Sequence, residues 1–354
     1  MSATQIGILT GGGDCPGLNA VIRAVVRRAV VSKGWSVMGI REGWRGLLDD
    51  HLTMPLDLTA VSGILHRGGT ILRTSRTNPM KVPDGLERVV KRMRKLRLDG
   101  LVAVGGDDTL GVAAKLAEAG LPVVGVPKTI DNDLVGTDYT FGYDTAVNTA
   151  MEAIDRVHTT AESHNRVMVI EVMGRHSGWI AVAAGLAAGA DYILIPEYPK
   201  TIQEICRSIE KRHARGKDFS IVVVAEGAKV EFAQNIPDSE DGLIVQQKGT
   251  DAFGHIRLGG IGKVLADEIE QFTGFETRYV ILGHIQRGGS PSAFDRVLGT
   301  RLGARAVDLL EQKEYGKMVS LQGNRIVAVR LTDAVASQKK VDPELYEIAA
   351  TFFD

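Results

Sequence analysis

The chain has 354 residues, enough for two ordinary domains or one large one. Lys plus Arg number 42 against 43 Asp plus Glu, a formal net charge of -1, which excludes a globally basic nucleic-acid binder but leaves room for a local basic pocket for a small anion. With 44% hydrophobic and 24% charged residues the composition is that of a soluble globular chain, and 41 glycines, above the roughly 7% of ordinary proteins, point to many tight turns or close backbone approaches.

Short β-branched apolar runs alternate with longer runs of helical period. Residues 6–10 read as a strand, 18–33 as a helix and 35–41 as a second strand. A basic amphipathic helix at 86–96 leads to a strand at 100–104, a helix at 110–119 and a strand at 121–126. A long helix at 145–163 precedes a strand at 167–172, a helix at 178–188 and a strand at 192–195. Then come a helix at 202–215, a strand at 220–225, a helix at 261–271, a strand at 279–283, a helix at 294–311 and a strand at 325–331. Such βαβ repetition predicts an α/β fold with largely parallel sheets covered by helices.

Residues 177–190 are uncharged but short and rich in Ala and Gly, closer to a buried helix than to a membrane span of about 20 apolar residues. The least regular stretch, 229–255, reads as a surface excursion around Pro237, Asp238, Ser239, Glu240, Asp241 and Gly242. Cys15 and Cys206 are the two cysteines, too few for a disulfide framework, and the first residues lack a basic and then apolar leader. Both features predict a protein of the reducing cytoplasm.

In open parallel sheets, ligands bind beyond the carboxyl ends of the strands, so the residues there carry the chemistry. The first strand runs into Thr10-Gly11-Gly12-Gly13-Asp14-Cys15-Pro16-Gly17, which reads as a phosphate cradle at a helix N-terminus or as a plain tight turn. Pro16 breaks a G-x-G-x-x-G fingerprint, and no G-x-x-x-x-G-K-[ST] occurs. After 100–104 comes Gly105-Gly106-Asp107-Asp108-Thr109, where a carboxylate suits Mg²⁺ or a helix cap. After 121–126 comes Pro127-Lys128-Thr129-Ile130-Asp131-Asn132-Asp133. Asp131 and Asp133 point to one side of an extended stretch and suit a base with a metal or orienting partner. Arg166 and Arg278 open strands that Met173-Gly174-Arg175-His176-Ser177-Gly178 and Gly283-His284-Ile285-Gln286-Arg287-Gly288-Gly289 close. One arginine alone reads as a surface ion pair; four beside two glycine turns read as an anion site. Glu226 ends a strand, where it can accept from sugar hydroxyls, and the histidines lack zinc-site spacing.

These motifs together, in this order, resemble the 6-phosphofructokinases from Ile6 to about Ala334. The resemblance implies two Rossmann-like three-layer domains: 1–142 with about 286–336 for the phosphoryl donor, and 143–285 with about 337–354 for fructose 6-phosphate. It implies Asp131 as the base for the sugar 1-hydroxyl, Asp107 as the Mg²⁺ carboxylate, and Thr129 and Asp133 in the catalytic loop. Met173, Gly174, Arg175, Glu226, His284 and Arg287 match the sugar-phosphate pocket, and Arg175 also meets charge on the transferring phosphoryl. Arg166 and Arg278 match positions that reach the sugar phosphate across a subunit contact, which implies a homodimer or homotetramer. Positioning and charge neutralisation supply most of the catalysis in phosphoryl transfer.

ATP-using members resemble Gly-Gly-Asp-Gly-Ser and Pro-Gly-Thr-Ile-Asp-Asn-Asp, whereas this chain carries Asp108 and Lys128 at the two variable glycines. That pair resembles the pyrophosphate-dependent branch. Asp108 would stand where the α-phosphate of a nucleotide lies; like charges about 4 Å apart repel by roughly 4 kcal/mol at an effective dielectric near 20. That is about a thousandfold against ATP. Gly12, Gly13 and Gly106 are then expected against pyrophosphate, with Lys128 as a positive charge near the transferring group. Two other readings are weaker. A non-catalytic relative would have lost Asp131 or Asp107, and a nicotinamide oxidoreductase, suggested by Glu42 after the second strand, lacks the glycine fingerprint.

Overall fold

Parallel strands buried on both faces need continuous apolar sequence, and this chain supplies it repeatedly. The structure, a computed structural model, describes residues 4–232, 239–240, 243–250 and 256–353. In chain order it forms β1 (Gln5–Thr10), α1 (Leu18–Arg27), β2 (Ser36–Ile40), β3 (Thr53–Leu56), α2 (Gly85–Lys95), β4 (Gly100–Gly105), α3 (Asp107–Glu118), β5 (Val123–Thr129) and β6 (Phe141–Gly142). Next come α4 (Tyr143–His164), β7 (Val167–Val172), α5 (Trp179–Ala187), β8 (Tyr192–Leu194), β9 (Lys200–Thr201), α6 (Ile202–Ala214), β10 (Ser220–Ala225) and β11 (Val230–Glu231). Then follow β12 (Ser239–Glu240), β13 (Leu243–Thr250), β14 (Ile256–Leu258), α7 (Ile261–Thr273), β15 (Thr277–Ile281), α8 (Ala293–Glu311), β16 (Lys317–Gln322), β17 (Arg325–Arg330), α9 (Leu331–Ala334) and α10 (Pro343–Ala350). Among the described residues no helix is long and apolar enough to cross a membrane.

The chain divides into two units. The first holds Met1–Thr145 and Arg287–Gln338. Its sheet runs β17-β16-β5-β4-β1-β2-β3, with β6 beside β5. The central pairs are parallel, and the outermost pairs, β2 with β3 and β16 with β17, are antiparallel. Its core packs Leu9, Ile40, Trp44, Leu101 and Leu110 at near-zero exposure. β16 was not expected from the sequence; Gly323 and Asn324 join it to β17 in a two-residue hairpin, a turn signal that was legible.

The second unit holds Ala146–Thr250, His255–Gln286 and Lys339–Asp354. Its main sheet, β15-β7-β10-β8, is wholly parallel and packs Val169, Ile205, Val222 and Leu265 into its core. The uncharged run at 177–190 is largely α5, with Ile180, Ala181, Val182 and Ala184 buried. The stretch expected as a surface excursion is in part strand: β12, β13 and β14 form a small antiparallel sheet. Pro237, Asp238, Asp241 and Gly242 lie outside the described residues.

A buried carboxylate on α8 holds the end of β6 and the start of α4. Ser292 caps α8 by accepting from the Asp295 N–H at 3.2 Å. The Asp295 carboxylate, fully buried, accepts from Gly142 N–H at 2.8 Å, Thr145 N–H at 2.8 Å and the Thr145 hydroxyl at 2.5 Å. Gly142 belongs to β6, which pairs with β5 at Lys128 and Thr129. Burial pushes the Asp295 carboxyl up to about 6, against the pull of its donors. A carboxyl raised on folding keeps its proton longer in the native state, so its contribution is complete below about pH 4 and is lost as pH rises through about 6. We predict that wild-type stability falls by about 3 kcal/mol from this group between those pH values. In Asp295→Asn that loss disappears, read as the pH dependence of the urea midpoint.

Candidate active site

In the first unit, β1 ends in the glycine loop, and several neighbours pin it. Gly11 N–H donates to Val104 O at 2.9 Å and Gly12 N–H to Ser75 O at 3.2 Å. The Thr74 hydroxyl donates to Gly12 O at 2.6 Å. Gly12 adopts φ 79, a left-handed conformation that glycine takes without a Cβ penalty. The Gly12 N–H is thus used within the fold, and what that glycine supplies is close approach. Thr74 and Ser75 were not expected as part of this loop.

Lys128, near the end of β5, is buried at 5% exposure and its ammonium donates to Gly13 O at 2.5 Å. Burial pulls it below the ordinary lysine range; Arg287 adds to that, and Asp131 and Asp107 oppose it. Arg287, expected in the sugar-phosphate pocket, has its guanidinium against the glycine loop: a Cβ added at Gly13 would lie 2.9 Å from its Nη1. Gly106 precedes α3, where a Cβ would meet the Lys128 carbonyl at 3.5 Å.

Asp107 and Asp108 form the first turn of α3, both half-buried, and the Asp108 N–H donates to Asp107 Oδ1 at 2.8 Å. Beyond β5, the Asp131 N–H donates to Thr129 Oγ1 at 3.0 Å. Burial, with Asp131 and Asp107 beside it, pushes Asp133 up to about 7. Negative charge is therefore concentrated at this end of the sheet. Asn132, a polar side chain that its sequence context does not single out, shapes the loop. It is buried, sits at φ 50, donates to Asp138 O at 3.3 Å and accepts from Thr140 N–H at 3.0 Å. Asparagine is among the few non-glycine residues that tolerate that conformation, which is the signal that could have found it.

In the second unit, the carboxyl edge of the sheet gathers the expected residues of three adjacent strands. Met173, Gly174 and Arg175 follow β7, Glu226 follows β10 and His284 follows β15. Gly227 N–H donates to Gly174 O at 3.0 Å, and a side chain at Gly227 would collide with the Arg175 carbonyl. Arg175 is half-buried, and its Nε is buried without a hydrogen-bond partner. Gln286, also not expected, is fully buried; it accepts from Met173 N–H at 3.3 Å and donates to Gly283 O at 3.0 Å. Arg166 and Arg278 stand at the opposite, amino edge. Both grip Glu276 Oε1, at 2.7 Å and 2.6 Å, about a strand length from the other residues of their unit. Among the described residues no three acidic, cysteine or histidine side chains group closely enough to hold a metal ion by themselves.

A family model described as phosphofructokinase matches residues 5–310. The chain is 55% identical over 350 residues to the pyrophosphate–fructose 6-phosphate 1-phosphotransferase of Streptomyces coelicolor, covering 99% of each. It is 53% identical over 343 residues to ATP-dependent 6-phosphofructokinase 3 of the same organism, covering 97% of this chain and 98% of that one. Pichia pastoris phosphofructokinase, in a T-state crystal structure, superposes with a TM-score of 0.82 at 31% identity; the match covers 99% of this chain and 36% of that longer one. The chain belongs to the phosphofructokinase family. Relatives named for two different donors are almost equally similar to it, so overall likeness does not select the donor.

Asn132→Ala leaves Thr140 N–H and Asp138 C=O without their partner and puts alanine in the left-handed region. We expect a loss of about 2–3 kcal/mol in urea unfolding. Asn132→Gly relieves the backbone strain alone and recovers about 1 kcal/mol of it.

Proposed function

We propose that the protein transfers a phosphoryl group from pyrophosphate to the 1-hydroxyl of fructose 6-phosphate, reversibly, giving fructose 1,6-bisphosphate and phosphate. The observation that carries the choice of donor is Asp108 in the first turn of α3. A helix N-terminus opposite a glycine loop favours a phosphate, and a carboxylate in that turn opposes one. Pyrophosphate has no third phosphate and no nucleoside, so it has nothing to lodge there. The names of the relatives at 55% identity support this reading.

In this reading the first unit handles the donor and the second the sugar phosphate. Asp131 takes the proton of the 1-hydroxyl, with Thr129 holding its backbone. Lys128 fixes the glycine loop and adds positive charge beside the transferring group. Burial first, and the nearby Asp131 and Asp107 second, raise Asp133, and a divalent cation at Asp107 would offset the second of these. Mg²⁺ takes one or two protein carboxylates and fills its octahedron with phosphate oxygens and water, so a lone Asp107 suffices to hold it. Bound there, it would neutralise charge on pyrophosphate.

Met173, Gly174 and Glu226 shape the sugar site, His284 binds there, and the unpaired Arg175 Nε offers a donor to an anion, while Arg287 adds positive charge beside the first unit's glycine loop. Arg166 and Arg278, on the far edge from that site, serve the sugar phosphate of a neighbouring copy in a homodimer or homotetramer. The enzyme works in the cytoplasm.

Initial rates of fructose 1,6-bisphosphate formation test the reading, with pyrophosphate or ATP as donor and Mg²⁺ present. Turnover with pyrophosphate and little with ATP is expected; turnover with ATP alone would make this an ATP-dependent 6-phosphofructokinase, and turnover with neither would remove the activity. Asp131→Ala should bind fructose 6-phosphate nearly normally by calorimetry while turnover falls by about 10²–10⁴. Near-normal turnover in that variant would take the base role from Asp131.

A further inference from the structure

The turn at 173–178 carries Arg175, whose Nε is buried without a partner. A buried donor left unpaired works against the shape that buries it, so that shape needs support from outside the turn. On one side Gly227 supplies it. On the other side stand three consecutive residues of the C-terminal segment. Lys339 O accepts from Trp179 Nε1 at 3.3 Å, and the Lys339 ammonium lies 5.0 Å over the same indole ring. Lys340 Nζ donates to His176 O at 2.6 Å. Val341 N–H donates to Glu197 Oε1 at 3.2 Å. The Glu197 carboxylate also accepts from Gly178 N–H, at 3.2 Å and 3.0 Å to its two oxygens. One carboxylate thus joins the turn to the segment.

The far end of the segment is pinned independently. Tyr346 of α10 stacks on Tyr198 at 4.5 Å and donates to Ile193 O at 3.3 Å. Phe353 stacks on Tyr192 at 4.7 Å, and the Ser208 hydroxyl donates to its carbonyl. Tyr192 and Ile193 belong to β8, and Glu197 and Tyr198 lie a few residues beyond its end. Both ends of the segment therefore bear on one short stretch of chain.

We propose that residues 339–353 form a strap that holds the Arg175 turn in its ligand-binding shape, with Glu197 as the positioning residue through which the strap acts. The inference rests on the reading of this turn as part of the sugar-phosphate site. Glu197 is not a catalytic residue: it acts through Gly178 and the segment. Its removal should therefore weaken the sugar phosphate selectively and spare the donor.

Full-length Glu197→Ala, Glu197→Gln and Lys340→Ala would be compared with wild type. In Glu197→Ala the KM for fructose 6-phosphate should rise about tenfold, the order expected for hydrogen bonds to a charged group. The KM for pyrophosphate should stay unchanged and kcat should fall by no more than about twofold if the loss is one of positioning in the sugar site. Glu197→Gln keeps a carbonyl acceptor and should recover most of the loss. Hydrogen exchange of amides 176–179 should quicken in Glu197→Ala, with those of β10 unchanged. Equal rises in both KM values, or unchanged exchange in the turn, would overturn the proposal. If wild type forms no fructose 1,6-bisphosphate, the reaction assignment fails while the exchange result still decides the strap. Should Glu197→Ala not fold, Lys340→Ala must show the same selective rise, and its absence would contradict the proposal.

Discussion

The Lys128 ammonium donates to the Gly13 carbonyl from a nearly dry position, and the first unit's site is arranged around that contact. A buried cation is costly unless acceptors and counter-charges surround it. Here the acceptor is the loop that follows β1, and the counter-charges are Asp131 and Asp107 beyond β5 and β4. One side chain therefore registers three neighbouring strand ends. Burial, together with the nearby Asp131 and Asp107, pushes the neighbouring Asp133 up to about 7. Asp295 holds Gly142 of β6, the short strand that pairs with β5 at Lys128 and Thr129.

The second unit solves a different problem with the same device of strand ends. Its sheet is wholly parallel, so every strand delivers its next loop to one edge. Polar side chains then fix the loops: the buried Gln286 for Met173 and the half-buried Glu197 for Gly178. Arg166 and Arg278 show what strand polarity forbids. Placed at the amino edge and joined through Glu276, they cannot turn to the loops of their own sheet.

Much of this was legible because parallel strands leave long apolar signatures, as in β4, β7 and β10, and because short Gly, Asp and Arg clusters follow them. β16 was not legible by the same rule: it pairs antiparallel with β17 near the sheet edge and carries Lys317 and Gln322 among its apolar residues. α10 is short and depends on Asp342 as a cap with Pro343 at its first turn, a signal weaker than apolar periodicity. Asn132, Gln286 and Asp295 escaped for another reason. Each is a buried polar residue whose role is set by partners distant in sequence or by backbone conformation, and a linear reading sees only a polar side chain. The Lys128 contact with Gly13 is likewise between residues more than a hundred positions apart.

In the proposed reading, the choice of donor turns on the Asp108 carboxylate in the first turn of α3. Relatives named for pyrophosphate and for ATP stand at 55% and 53% identity, so overall likeness to them does not separate the two donors. The most direct measurement is the ratio of kcat/KM for ATP to that for pyrophosphate in Asp108→Gly against wild type. The ratio is expected to rise by up to about a thousandfold, the equivalent of one close charge repulsion removed. An unchanged ratio would contradict it, because the Asp108 carboxylate would then not face the donor.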